Sequence, residues 1–422
     1  MPVVASGASV RLAAVAVLCA VACAACLHAQ ESDNSADLDL FVYSQQDDGG
    51  NPIQNERMLY YGARAAVKLK VNKVLTIRPS VTVSILDTGG KAHVPDTITN
   101  ATITSASQGT SSRAGGGTTY VPVTTSMGFD IKPPGSDWTL SPSAFFSYQD
   151  NYISRGLDFS ASVELFNGNF IPSISYGFRW DSLSSKSLGF AGVFGAEGEG
   201  GEGGEEDDGG GGTPSDEPLP GSRLETRFTQ NLQLGFTQIL SPMWRLNASF
   251  QYTRQDGFLG APGAVVALYD DRTPVLFANE KLPSYRDRFQ FNTRVRFAPA
   301  LGWGLGMDHS FYADDWGIYN FAVEPSVEGP FYPDIARWRV WYRYSYQHGT
   351  RFKRGHPQHE YRYQTDDPDL GTFSTQGGGA LFLFDLATWG KVHWKLRVTG
   401  YGVTRSDGIW GFGGLIGTEF DW

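Results

Sequence analysis

Cysteine is nearly absent from this chain, and the three that occur, Cys19, Cys23 and Cys26, fall within one apolar run at the amino end. That run, Leu12 to Leu27, follows Arg11 and leads into His28-Ala29. It is short for a bilayer-spanning helix, so residues 1–29 are expected to be a secretory signal cut near Ala29-Gln30. Neither Cys23 nor Cys26 follows a convincing lipid-attachment sequence. Removal of the segment leaves 30–422 without cysteine, which excludes disulfides, thiol catalysis and thiolate metal sites. Beyond the signal, no apolar run reaches the length of a membrane helix. Basic residues are not clustered, so nothing supports nucleic-acid binding. No glycine loop sits between a strand and a helix to hold a phosphate, and no cofactor is expected.

What is plentiful is aromatic and glycine: 27 Phe, 19 Tyr, 11 Trp and 51 Gly. An exported, helix-poor chain of this composition is what a membrane β-barrel looks like. The formal charge of −10 is concentrated, because Ala196 to Glu217 holds nine acidic residues and no basic one. Whole-chain acidity therefore says nothing about partners. Gly195 to Gly212 is glycine and acid almost throughout, with nothing to bury, and is expected to be a disordered loop tip within a 183–222 connection.

Period-two alternation bounded by turn residues marks about sixteen strands, from 37–43 to 408–422. The long connections, 44–56, 87–117, 183–222, 257–284 and 349–376, all follow odd-numbered strands, while even-numbered connections such as Asn167-Gly168 and Ser241-Pro242 are short. Long loops at one end and short turns at the other are the layout of an antiparallel transmembrane barrel with both termini in the periplasm. Face assignments agree. Within 285–298, Phe289, Phe291, Val295 and Phe297 oppose Arg288, Gln290, Asn292, Arg294 and Arg296. Within 334–348, Trp338, Val340, Tyr342, Tyr344 and Tyr346 oppose Arg337, Arg339, Trp341 and Arg343. Within 243–256, Trp244, Leu246, Ala248, Phe250 and Tyr252 oppose Arg245, Asn247, Ser249, Gln251 and Thr253.

The last strand alternates Trp410, Phe412, Gly414, Ile416, Thr418, Phe420 and Trp422 on one face with Gly411, Gly413, Leu415, Gly417, Glu419 and Asp421 on the other. It resembles the closing strand of bacterial outer-membrane barrels, whose terminal aromatic is read by the barrel assembly machinery. That resemblance implies the assembly machinery and outer-membrane lipids as partners.

Three further stretches, Asp150 to Leu157, Tyr312 to Ile318, and Tyr361 to Leu370 running into Phe373-Ser374, resemble an uncharacterised group of outer-membrane proteins, the domain of unknown function 3570 family. The resemblance implies an outer-membrane barrel over most of 30–422. It carries no catalytic residues to this chain.

Two constellations invite chemistry. Asp308-His309 and Asp314-Asp315, with Asp366-Asp367 further on, are similar to the Asp-His and Asp-Asp pairs of omptin-type outer-membrane proteases. Asp308 and His309 point to opposite faces of one strand, however, and Asp314-Asp315 reads as turn chemistry. His356-Pro357-Gln358-His359-Glu360 lacks the helix and the order of a metal site. No catalytic residue and no metal ligand is assigned.

The arginines are the functional lead. Arg245, Arg288, Arg294, Arg296, Arg337, Arg339 and Arg343 are expected to line the lumen, because an arginine facing lipid at mid-bilayer would cost about 2–4 kcal/mol. Asp158, Glu164, Glu225, Asp308 and Glu324 are the fewer acidic candidates. The sequence is thus expected to encode an all-β, roughly sixteen-stranded outer-membrane barrel acting as a porin-like channel with a mild preference for anions. A surface scaffold holding a partner is the alternative, and a surface hydrolase a more distant one.

Overall fold

The structure, a computed structural model, describes residues 34–48, 57–88, 118–149, 152–184, 224–260, 265–271, 273–332 and 335–422. The signal segment, the acidic glycine run and Asp150-Asn151 lie outside the described residues. The strands are β1 (Ser35–Asp47), β2 (Met58–Lys70), β3 (Leu75–Thr88), β4 (Thr118–Tyr120), β5 (Val123–Ile131), β6 (Trp138–Gln149), β7 (Tyr152–Val163), β8 (Phe170–Ser184), β9 (Leu224–Ser241) and β10 (Trp244–Gly257). They continue with β11 (Val265–Asp270), β12 (Thr273–Asn279), β13 (Tyr285–Ala300), β14 (Trp303–Asp314), β15 (Tyr319–Tyr332), β16 (Ala336–His348), β17 (Phe373–Trp389), β18 (Val392–Arg405) and β19 (Ile409–Asp421).

All pairs in the main sheet are antiparallel. Each strand bonds its sequence neighbour, β10 bonds β13, and β19 returns to β1, so the sheet closes. β4 and β5 both pair with β3 and form one strand interrupted at Val121-Pro122. A proline there cannot donate to the ladder; its carbonyl accepts from Ser84 N at 3.1 Å. The result is a barrel of sixteen strands. β1 and β19 run in register from Ser35↔Asp421 to Asp47↔Ile409 without a bulge.

Short turns gather at the end that holds both termini. At 71–74 the Asn72 carboxamide oxygen accepts from Val74 N and Leu75 N at 2.8 and 2.9 Å. Asn167 and Gly168 both take positive φ, 58° and 80°, which closes the β7–β8 connection tightly. The five long connections all emerge at the opposite end.

Side chains alternate between two faces. The apolar one carries large exposed groups such as Leu38, Leu40, Phe159, Ile174, Leu234, Phe291, Val340 and Ile416. Tryptophans edge this band near the termini, where Trp244 stacks on Phe297 (4.4 Å) and Trp303 meets Trp338 edge-on (6.0 Å). Tyr285, Tyr319 and Trp410 edge it near the long connections. The other face carries most of the charged and hydroxyl side chains, with aromatics such as Phe145 and Trp341 among them.

Two of the long connections, 257–284 and 349–376, carry structure of their own. The first contains the hairpin β11–β12 and the second a 3-10 turn at Pro368–Leu370, and β17 begins at Phe373, four residues before the expected 377. Beyond the end of β19 at Asp421, Trp422 is 7 % exposed and exchanges two 3.0 Å backbone bonds with Asn34, beside the first strand.

Candidate functional site

The polar face of β13–β16 is a ladder of arginines. Arg294 and Arg296 on β13 both reach Asp308 on β14; Arg294 Nε lies 3.0 Å away and Arg296 makes a two-pronged contact. Arg339 and Arg343 on β16 both reach Glu324 on β15, at 3.5 and 3.4 Å. Asp39 on β1 is shared in the same way by Arg64 (3.7 Å) and by Arg397 (2.6 Å), which reaches it across Gly417 of β19. One carboxylate between two guanidiniums leaves each triad with a surplus positive charge. The side chains of Arg294 and Arg343 are both 47 % exposed, so solvent reaches this ladder. Arg245, directly opposite Arg296 in the β10–β13 register, and Arg337, opposite Pro330, are exposed and form no ion pair among the described residues.

Strands β3, β5 and β6 lie eight places round the closed order from β14, β15 and β16, diametrically across the barrel. Their polar face is mostly hydroxyl. Ser80 and Ser126 oxygens lie 2.7 Å apart and Thr124 and Ser147 oxygens 2.8 Å apart, while Ser141 donates to Asp130 at 2.6 Å. Asp130 also takes Arg78 at 2.7 Å.

Large aromatics on this face lie flat against the sheet. Phe145 covers Gly156 on β7, and Trp341 covers Gly379 on β17. A Cβ at either glycine would collide with the ring, so the absent side chain is what lets the ring lie down. Arg179 sits over Phe145 at 4.5 Å and Arg339 near Trp341 at 5.9 Å. The aromatics thereby lie against the wall.

Toward the long connections, the polar face becomes dry and locked. Arg227 on β9 bonds Asp181 through Nε and Nη2 at 2.8 and 2.7 Å and donates to the Tyr152 hydroxyl at 3.1 Å. A second hub is Asp314. One of its oxygens takes Arg286 Nε (2.9 Å), Arg286 Nη2 (2.5 Å) and the Tyr312 hydroxyl (2.8 Å). The other takes Trp316 N (3.0 Å) and Ile318 N (2.9 Å), closing the β14–β15 turn. The Arg286 guanidinium also lies 4.4 Å from the Trp316 ring. Neighbouring Asp315 accepts from Asp287 N at 3.1 Å, and burial pushes its carboxyl above the ordinary range.

That turn anchors a cap. Trp316 and Ile318 pack with Leu259, Phe352 and Leu370, which ties the described parts of the 258–284 connection and the 349–372 connection to the β14–β15 turn. Lys281 and Gln364 exchange backbone bonds of 3.0 and 2.7 Å, and Gln347 donates to the carbonyls of Asp369 and Gly371. Arg405 on β18 clamps the cap through Asp369 at 2.6 Å. A second apolar cluster of Tyr43, Met58, Leu86 and Tyr120, with Tyr401 stacked on Tyr43, covers the polar face nearby.

Of the arginines singled out in sequence, Arg294, Arg296, Arg339 and Arg343 are brought together in triads. Arg288 is half-buried opposite Asp314. Asp308 and His309 are split between faces, with Asp308 on its arginines and His309 between Thr293 and Val323 on the apolar side. The loop histidines are dispersed: His356 meets Tyr269 edge-on and His359 packs on Tyr361. Among the described residues, no group of three metal-ligating side chains forms. Sequence reasoning missed Arg286, although stepping back two residues from Arg288 places it on the same face.

Fold and polar face together define a closed sixteen-stranded antiparallel barrel whose outside is apolar and whose polar side is rich in shared arginines. The sequence matches, over residues 7–417, the family described as protein of unknown function (DUF3570), and the chain belongs to that family. No curated protein matches it. Among solved structures it is similar to the ferric enterobactin receptor PfeA of Pseudomonas aeruginosa (12% identity, TM-score 0.41), covering 89% of this chain and 54% of the receptor. The chain therefore spans about half the length of that receptor. It is also similar to P. aeruginosa OpdK with vanillate (6% identity, TM-score 0.42, covering 93% and 99%). A third is the P. putida toluene transporter TodX (10% identity, TM-score 0.37, covering 93% and 91%).

Proposed function

We propose that this protein is an outer-membrane pore that favours small anions. Its apolar face meets lipid, its polar face encloses water, its termini face the periplasm and its cap faces outward. The observation that carries the reading is the sharing of Asp308 and Glu324 by two solvent-reached arginines each. A low-dielectric wall focuses such surplus charge into the lumen and raises local anion concentration. The polar face is taken as the inner one because side chains two strands apart meet on it, as Arg397 and Asp39 do across β19. Such reach is favoured on the concave side of a curved sheet, where side chains converge. Opposite the ladder, hydroxyls can donate to or accept from a solute whose charge is held by arginine.

Planar-bilayer recordings in a KCl gradient are expected to show channels with chloride favoured over potassium. Replacing Arg294, Arg296, Arg339 and Arg343 together by glutamine is expected to abolish or invert that preference, since Asp308 and Glu324 then stand alone. Purified wild-type protein that forms no channels, or prefers cations, would overturn the proposal.

A further inference from the structure

The exposed side of the 349–372 cap has a composition of its own. Arg351, Arg354 and Arg362 are exposed, and each guanidinium lies over a ring of the same segment: Phe352 at 5.2 Å, Tyr361 at 3.9 Å and Tyr363 at 5.2 Å. Phe352 and Tyr363 are 5.5 Å apart, and His359 packs on Tyr361 at 4.5 Å. The segment's carboxylates are turned away or engaged. Asp367 and Asp369 are buried, Asp369 is held by Arg405, and Glu360 pairs with Lys281 at 2.5 Å. Among the described residues, none of the three guanidinium groups has an ion pair or a hydrogen bond; the Arg351 backbone N donates to Trp316 O at 3.3 Å.

A guanidinium resting on a ring is fixed in direction, with its edge N–H groups directed to solvent. Three such groups within one short exposed segment, each on its own ring, suit successive charges along a chain better than one small ion. We infer that this face of the cap is a binding surface for extended polyanions, of the class of sulfated or phosphorylated polysaccharides. That the surface meets them outside the cell rests on the orientation proposed above.

The test uses the full-length protein in detergent, with dextran sulfate and unsulfated dextran as probes. Dextran sulfate is expected to bind at low salt and unsulfated dextran not to bind. The Arg351→Gln/Arg354→Gln/Arg362→Gln variant is expected to lose about ten-fold or more in affinity, from three exposed charge contacts. Tyr361→Ala, which keeps every charge but removes a stacking ring, is expected to bind more weakly than wild type. Lys73→Gln/Lys391→Gln, at the opposite end of the barrel, is expected to bind as wild type does. The heat-dependent gel shift of the barrel reports that each variant is folded. Wild-type affinity in the triple arginine variant overturns the inference. So does competition by inorganic sulfate as effective, per sulfate, as the polymer. Labelled dextran sulfate on intact expressing cells separates the two readings: binding by purified protein without retention on cells overturns the orientation and leaves the surface standing.

Discussion

Arg286→Ala is expected to loosen the cap and lower the barrel's stability by about 3–5 kcal/mol, the range for removing one partner of a buried ion pair. The side chains of Arg286 and Asp314 are 1 % and 0 % exposed, so the orphaned carboxylate has no water to turn to. Asp314 loses its two-pronged arginine partner in a dry site, and that desolvation cost falls on the turn it closes through Trp316 N and Ile318 N. Because Trp316 is the seat on which Phe352 and Leu370 pack, the 349–372 connection should lift. Limited trypsin digestion is the direct measure, since Arg351, Lys353, Arg354 and Arg362 lie in that connection. Rapid cleavage in the variant, with the wild type intact, is the expected result. Arg286→Met/Asp314→Asn, which removes both charges, should recover much of the loss. A variant as protease-resistant and heat-stable as wild type would show that the hub holds nothing.

Gly379→Val should cost about 1–3 kcal/mol by overpacking and also obstruct the lumen. Its Cβ would enter the space of the Trp341 ring on one side and the Gly400 carbonyl on the other. The carbonyl belongs to the ladder and cannot yield, so the indole must swing off the wall. Reduced single-channel conductance together with a lower gel-shift temperature is expected. Trp341→Ala added to Gly379→Val should restore the conductance but not the stability, because the contact with the Gly400 carbonyl remains. Unchanged conductance in the single variant would mean that the ring has another place to go.

Strand positions and faces were legible because burial here is one-sided and period two records it. From 57–70 to 408–422, the alternation alone located every wall strand. The cap was not legible, for a related reason. Val266, Ala267 and Leu268 of β11 are all buried, so they read as a continuous apolar run with no alternation to mark a strand. The triads were half legible. Sequence put arginines and carboxylates on one face, but which carboxylate serves which arginine depends on hairpin register, and only pairing such as Arg294↔Asp308↔Glu324 settles that. The resembling motifs gained a meaning that their spelling did not carry. Tyr312 to Ile318 is the Asp314 hub, Gln364 to Leu370 is the stitched inner edge of the cap, and Tyr152 is a partner of Arg227.

The seam between β1 and β19 joins residues 386 positions apart, Ser35 to Asp421. No portion of the chain shorter than this can satisfy both its edges. A nascent or truncated polypeptide therefore carries two open strand ladders, each able to pair with a stranger. Closure demands the most distant contact in the molecule, and such contacts form late and slowly. A partly made barrel has to be kept apart from its neighbours until its final strand arrives.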